Sequence, residues 1–193
     1  MTSLFTGSPK AYIIPEPTNL EGIGKMSPRK TNNQDGLQRT YYFAYGSNLW
    51  VHQMITRCPS TILIGTAILP FYRWVISHRG YANVVPSVPD ECYGFIYTIT
   101  EEDEAKLDVY EGVPRSYQKK ILKVKVLDDG RLLETLVYID SKTAEGVTHT
   151  EYVVRINNGL NDAKEIPEEW VKKYIRPFIP AGPVKMVVDP FFI

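Results

Sequence analysis

The chain has 193 residues, 44% of them hydrophobic, and its 22 Lys and Arg balance its 22 Asp and Glu. This length supports one folded domain with an extension, and zero net charge disfavours nucleic acid or an anionic membrane as a partner. No apolar run approaches the roughly 20 residues that span a bilayer, and the first ten residues lack a secretory signal's apolar core, so we expect a cytoplasmic protein.

Residues 1–39 carry prolines, glycines and polar side chains without a sustained period of 2 or 3.6. We therefore predict an N-terminal extension over 1–39 that is flexible or draped over the surface. The domain is predicted over 40–176, followed by a C-terminal tail over 177–193 that packs on it.

The domain is predicted to open with a buried central strand over Tyr41–Tyr45, because this aromatic run is too apolar for an exposed strand. Gly46 ends the strand, and Ser47 or Asn48 is available as the N-cap of a short helix that runs to about Arg57. Segments rich in β-branched and aromatic residues then predict three strands, over Thr61–Leu69, Tyr72–Ser77 and Tyr93–Thr100.

Thr100 begins a predicted helix, since a hydroxyl cap is followed there by acids that suit the positive end of the helix dipole. Ala105, Leu107 and Tyr110 are its predicted buried stripe, and Gly112 its end. A hairpin over Lys119–Leu127 and Leu132–Ile139, then helices over Glu151–Gly159 and Pro167–Ile175, complete the domain. This order predicts an α+β fold, a small mixed or antiparallel β-barrel with a few flanking helices.

Common catalytic motifs are absent: the sequence has no GxSxG, GxxxxGK[ST], GxGxxG or HExxH. His52, His78 and His149 lack ligand-like spacing, so we expect no metal site and no cofactor. Cys58 and Cys92 form no CxxC pair and are interpreted as buried small hydrophobic residues in a reducing compartment.

Two local features point to chemistry. At Tyr45–Asn48 a buried strand turns sharply into a helix, and successive free N–H groups at such a turn suit a carboxylate or an oxyanion, although a turn glycine with a cap residue explains the pattern equally well. Glu111 lies in the last turn of its helix, where the dipole disfavours acids, and three residues after Asp108, where like charges repel. If Glu111 points into an aromatic pocket, burial raises its pKa and makes it a general base.

Together these residues resemble the γ-glutamylcyclotransferase family. Tyr42–Leu49 is similar, nearly letter for letter, to the family's N-terminal substrate loop, and Leu107–Val113 with Tyr117 resembles the segment that carries its catalytic Glu. Gly80–Pro86 and Cys92–Tyr97 are similar to two family strands that lie between them.

The resemblance covers about residues 41–175 and implies a cofactor-independent γ-glutamylcyclotransferase. In such an enzyme the α-amine of a γ-glutamyl compound attacks its own γ-carbonyl carbon, which releases 5-oxoproline and the free amine or amino acid. Glu111 is implied as general acid and base, and Ser47 is assigned no nucleophilic role. The implied substrate-binding residues are Tyr42, Phe43, Ala44, Tyr45, Gly46, Ser47, Asn48, Tyr117 and Tyr152.

Several alternatives stay open at this point. The same chemistry could act on glutathione, or on a glutathione or γ-glutamyl conjugate of a biosynthetic intermediate. A catalytically silent relative would only bind a small metabolite. The expected partner is a small-molecule γ-glutamyl substrate, with no nucleic acid and no membrane, and a homodimer is left open.

Overall fold

A barrel of five strands forms the centre of the molecule in the computed structural model, which describes residues 31–32 and 36–182. The barrel strands are β2 (Gln38–Ala44), β3 (Ile62–Ile76), β4 (Ala82–Ile99), β5 (Gln118–Val126) and β6 (Leu132–Ile139), and a short strand outside the barrel, β1 (Thr31–Asn32), precedes them. The helices are α1 (Val51–Arg57), α2 (Glu101–Glu111), α3 (Thr150–Asp162) and α4 (Glu168–Trp170), which continues as a π-helical segment, Val171–Ile175.

The barrel strands follow the order β2-β4-β3-β5-β6, and each of these neighbours is antiparallel. A parallel contact between Tyr42 and Leu136 joins β2 to β6 and closes the barrel. The short strand β1 pairs with the start of β2 through Thr31 and Arg39. The predicted α+β barrel with flanking helices is therefore confirmed.

Strand β3 runs without a break across the two strands predicted over 61–69 and 72–77. Its pairing with β4 shifts register between Pro70 and Tyr72, and Phe71 has a positive φ of 65° at this irregularity. Trp74, beyond the shift, donates from Nε1 to the Tyr45 carbonyl oxygen at 2.9 Å. The outer part of the β3–β4 hairpin thus lies against the end of β2, where the predicted substrate loop begins.

Helix α2 begins and ends as predicted, but its buried stripe differs. Thr100 and Asp103 form a capping box, and Gly112 ends the helix in the left-handed conformation that favours glycine (φ 65°, ψ 40°). Leu107 is fully buried, whereas Ala105 is exposed and Tyr110 is 50% exposed. The predicted stripe is wrong at those two positions because only a narrow side of α2, with Leu107 and the capping Asp103, packs inward.

The predicted N-cap of α1 is also wrong. A 3₁₀ turn over Ser47–Leu49 separates the loop from α1, whose N-cap is Trp50, without a side-chain hydrogen bond. The Ser47 and Asn48 side chains are used elsewhere, because both accept hydrogen bonds from Gln53 Nε2, at 2.9 and 3.0 Å. These polar residues stabilise the loop itself and do not begin the helix.

The last helical segment packs on the domain through Trp170, Tyr174 and Ile175, which are buried. Among the described residues of the predicted tail, Phe178 lies 6.0 Å from Trp74 between ring centroids, and Ile179 is fully buried. Most of the predicted extension (1–30 and 33–35) and residues 183–193 of the tail lie outside the described residues. In residues 31–32 and 36–182, no helix is both long and apolar enough to cross a bilayer.

Candidate active site

A cavity of about 290 Å³ lies where the loop after β2, the end of α2 and the first turns of α3 meet. Four separate segments of the chain contribute predicted site residues to its wall: Tyr42, Phe43, Tyr45, Gly46, Ser47, Asn48, Glu111, Tyr117 and Tyr152. Ala44 is not part of the wall, because its side chain is buried in β2.

The substrate loop, Tyr45–Asn48, is fixed by side chains from other elements. Tyr45 donates its hydroxyl to the Tyr138 carbonyl oxygen at 2.6 Å, and Tyr97 donates to the Asn48 carbonyl oxygen at 3.2 Å. The Asn48 side-chain amide donates to the Tyr42 hydroxyl at 2.9 Å. The loop is therefore preorganised before any ligand arrives.

Gly46 allows Tyr152 to approach the loop closely. A Cβ atom at position 46 would lie 2.8 Å from the Tyr152 hydroxyl and 3.3 Å from the Ala82 Cβ, which is too close for any other residue. The Tyr152 oxygen in turn accepts hydrogen bonds from the Ser47 and Ala82 N–H groups, at 3.2 and 3.3 Å. The glycine at position 46 therefore lets the Tyr152 hydroxyl reach the loop backbone.

The Tyr152 hydroxyl is oriented as a hydrogen-bond donor. A phenol oxygen has one proton to donate and accepts the two N–H groups of Ser47 and Ala82 here, so its proton is left for another acceptor in the cavity. Burial raises the Tyr152 pKa to about 12, so the hydroxyl keeps that proton near neutral pH. The Ser47 N–H is occupied by this contact, whereas the Gly46 and Asn48 N–H groups make no hydrogen bond within the described residues.

Two acids line the cavity, Glu111 and Glu151, and Glu151 is paired with Arg155. Glu111 is the last residue of α2, partly accessible, and no described side chain or backbone group hydrogen-bonds to its carboxylate. Burial raises the Glu111 pKa to about 7, while the Arg57 and Arg79 guanidinium groups act against this rise. A carboxylate with a pKa near neutral pH and free oxygens can both take and return a proton.

Asp108 has partners of its own in the last turn of α2. Its carboxylate accepts the Tyr138 hydroxyl at 2.7 Å and pairs with Lys119 Nζ at 2.9 Å. Asp108 is not part of the cavity wall. Of the two acids in this turn, Glu111 is therefore the one that lines the cavity.

Aromatic rings form much of the remaining wall. Tyr117 donates its hydroxyl to the Ala82 carbonyl oxygen at 2.6 Å, and the Arg79 guanidinium lies over the face of its ring. Tyr81 lies edge-on to Tyr152, with ring centroids 5.2 Å apart. This wall limits the cavity laterally and accounts for the desolvation that raises the Glu111 pKa.

Three arginines in the wall were not identified from the sequence: Arg57, Arg79 and Arg155. Arg79 lies over the Tyr117 ring at 4.5 Å and pairs with Asp140, whose Oδ2 is 3.0 Å from Nε. Arg155 pairs with Glu151 one helical turn earlier. Of the three, only Arg155 could have been identified from the sequence, because it lies three residues after Tyr152 and therefore on the same face of the predicted helix.

The described residues contain no group of three or more His, Cys, Asp or Glu side chains placed to hold a metal ion. Cys58 and Cys92 are both free and buried, which confirms their interpretation as buried small residues. The polar groups that line the cavity are carboxylates, hydroxyl groups, backbone N–H groups and guanidinium groups.

The chain is similar to proteins of one named family. A sequence model described as gamma-glutamyl cyclotransferase, AIG2-like, matches residues 42–154. A gamma-glutamylcyclotransferase of Mus musculus is 28% identical over 146 residues, which are 68% of this chain and 75% of the mouse protein. A gamma-glutamylcyclotransferase of Bos taurus is 31% identical over 91 residues, 42% of this chain and 48% of the bovine protein.

Two solved structures share the fold. An uncharacterised protein of Homo sapiens is 25% identical with a TM-score of 0.64, and the match covers 76% of this chain and 93% of the human chain. A gamma-glutamyl cyclotransferase structure is 22% identical with a TM-score of 0.66, covering 78% of this chain and 94% of its own. The barrel and its helices are thus those of a known fold.

Proposed function

The chain belongs to the gamma-glutamyl cyclotransferase, AIG2-like family, and on that premise we propose that it converts a γ-glutamyl compound into 5-oxoproline and a free amine or amino acid. The observation that carries the proposal is Glu111. It combines a raised pKa, free carboxylate oxygens and a place in the same cavity as the Tyr45–Asn48 loop.

The reaction is an intramolecular transfer that needs no protein nucleophile. The substrate's α-amine nitrogen bonds to its γ-carbonyl carbon, and the bond from that carbon to the leaving nitrogen breaks. The attacking nitrogen changes from an ammonium to a lactam N–H and loses two protons, and the leaving nitrogen gains two and departs as an ammonium. Glu111 passes protons from the first nitrogen to the second, so none is gained or lost overall. Ring closure is favoured when the cavity binds the substrate folded, with amine and carbonyl close together.

Stabilisation of the intermediate oxyanion falls to groups around the loop. The Gly46 and Asn48 N–H groups have no acceptor within residues 31–32 and 36–182, and the Tyr152 hydroxyl proton is left to donate. Ser47 accepts from Gln53 through Oγ, so its own hydroxyl proton is also available as a donor. Donors fixed in advance stabilise developing charge without reorganisation, which is commonly the largest part of catalysis.

The test is to incubate the purified protein with γ-glutamylalanine, a γ-glutamyl amine and glutathione, and to measure 5-oxoproline by mass spectrometry. We expect the unmodified protein to release 5-oxoproline from at least one of these compounds, and the Glu111→Gln variant to lose this activity. Release from glutathione alone would favour the glutathione alternative. No release from any compound, with saturable binding of one of them, would indicate a silent metabolite-binding relative and contradict the proposal.

A further inference from the structure

Among the three arginines of the cavity wall, two have carboxylate partners. Arg79 pairs with Asp140 at 3.0 Å, and Arg155 pairs with Glu151 at 2.7 Å. Arg57 makes no ion pair with any residue in the described part of the chain. Its positive charge therefore faces the cavity without a partner other than the Glu111 carboxylate.

Arg57 is nevertheless fixed in position. Its Nη1 donates to Asn48 Oδ1 at 3.0 Å, and its guanidinium carbon lies 4.6 Å from the centroid of the Tyr110 ring. Its Nε is buried and has no hydrogen-bond partner among the described residues. A buried N–H without an acceptor, on a charge without an ion pair, costs stability, so folding alone is a poor reason for this arrangement.

The neighbourhood of Arg57 suggests what the arginine binds. Tyr110, on which it stacks, directly precedes Glu111, so a cation and an acid lie side by side in one wall of the cavity. The Arg57 charge also opposes the rise in the Glu111 pKa, which agrees with this proximity. An α-amino acid group carries an ammonium and a carboxylate on one carbon, and therefore matches such a pair of opposite charges.

We propose that Arg57 binds the α-carboxylate of the γ-glutamyl substrate and thereby limits the site to γ-glutamyl groups whose α-carboxylate is free. The inference rests on the proposed function. It places the substrate ammonium at Glu111 and the carboxylate at Arg57. The Gly46 and Asn48 N–H groups are then left for the γ-carbonyl oxygen, so each charged group of the substrate has its own partner.

The test compares two ligands that differ only at this carboxylate, 5-oxoproline and 5-oxoprolinamide. Calorimetry should show that the unmodified protein binds 5-oxoproline about 10- to 100-fold more tightly, the range for a charged hydrogen bond. Arg57→Met should remove this preference by weakening 5-oxoproline alone, and Arg57→Lys should retain part of it. Arg73→Met, which changes an arginine outside the cavity wall, is the matched control and should bind like the unmodified protein.

A structural role for Arg57 predicts a different pattern. In that case Arg57→Met would weaken both ligands equally, or the unmodified protein would not distinguish them, and either result overturns the inference. With a γ-glutamyl substrate, Arg57→Met should raise KM about 10- to 100-fold, since the carboxylate contact is the same in ground and transition states. Its kcat should change little when measured well above the Glu111 pKa, where the carboxylate is ionised with or without the Arg57 charge.

Failure of this inference is distinguishable from failure of the proposed function. Release of 5-oxoproline by the unmodified protein, with equal binding of both ligands, would overturn only the role of Arg57. Absence of release from every γ-glutamyl compound would overturn the proposed function and, with it, the inference.

Discussion

At the first turn of α2 three acidic side chains, those of Glu102, Asp103 and Glu104, have partners, whereas at its last turn Glu111 has none among the described residues. Asp103 accepts the Thr100 N–H at 3.3 Å within the capping box, and Glu102 pairs with Lys106 at 2.8 Å. Glu111, one residue before Gly112, lies at the negative end of the dipole in a desolvated wall. The same residue type thus stabilises one end of the helix and strains the other.

This contrast separates stability from chemistry within one helix. The start of α2 follows every local rule for a helix N-terminus, so changes there should affect the free energy of unfolding and leave the reaction unchanged. At the end of α2, Glu111 places an acid at the negative end of the helix dipole, where cations are favoured. Such a departure is expected of a residue kept for function. The following predictions test that separation, in order of expected effect.

The largest effect is expected from Glu111→Gln. Without a proton acceptor, turnover to 5-oxoproline at saturating substrate should fall by about 10²- to 10⁴-fold, the usual range for general acid-base catalysis. The measurement is kcat with the preferred substrate of the panel. Glu101→Gln, at an exposed acid of the first turn, is the control and should keep full turnover; equal losses in the two variants would contradict the separation.

The second effect is a pH dependence of the reaction. Because Glu111 must be ionised to accept a proton and has a pKa of about 7, kcat/KM should fall about tenfold per pH unit below pH 7. The Thr100→Ala variant should show the same dependence of kcat/KM on pH as the unmodified protein, because residue 100 lies at the other end of α2. A profile that is flat between pH 5 and 7 would remove Glu111 from the role of base.

The third effect concerns stability at the start of α2. Thr100→Ala removes the acceptor of the Asp103 N–H and should lower the free energy of unfolding by about 1 kcal/mol, as measured by urea denaturation. Thr100→Ser keeps the hydroxyl and should restore most of that loss. Turnover per folded molecule should be unchanged in both, and a turnover loss in proportion to that of Glu111→Gln would break the comparison.

The smallest effect is a pH-dependent gain in stability from Glu111→Gln. The Glu111 pKa is raised in the folded protein, so between the unfolded value of 4.5 and about 7 the folded state binds more protons, and stability falls as pH rises through this window. The glutamine variant lacks this loss. Its Tm should therefore exceed that of the unmodified protein at pH 8 and approach it at pH 5, whereas a lower Tm at pH 8 would show that the ionised carboxylate is stabilised by contacts.

The sequence predicts the parts of α2 and its surroundings that depend on local interactions. The Thr100 cap, the Gly112 stop and the position of Glu111 in the last turn follow from neighbours along the chain, and the structure agrees with them. The resemblance located residues of four distant segments, and the structure brings all of them except Ala44 into one cavity wall. What binding or catalytic role each of them has stays a prediction.

Other features could not be predicted because they depend on packing between distant segments. Tyr110 was expected to be buried, yet it is half exposed because it stacks on Arg57, which comes from another helix. Arg79 lies in the turn between β3 and β4, and its guanidinium pairs with Asp140, which is distant in sequence. The use of Ser47 as an acceptor for Gln53, and not as a helix cap, likewise became visible only in the fold.

The central claim is that Glu111 titrates near neutral pH and exchanges protons with a γ-glutamyl substrate. Its most direct test is a ¹³C NMR titration of the glutamate side-chain carboxyl groups, with Glu111 assigned from the signal missing in Glu111→Gln. A titration midpoint near 7 for Glu111, coincident with the midpoint of the kcat/KM profile, is the predicted result. A midpoint near 4.5, the value of an ordinary glutamate, would contradict it.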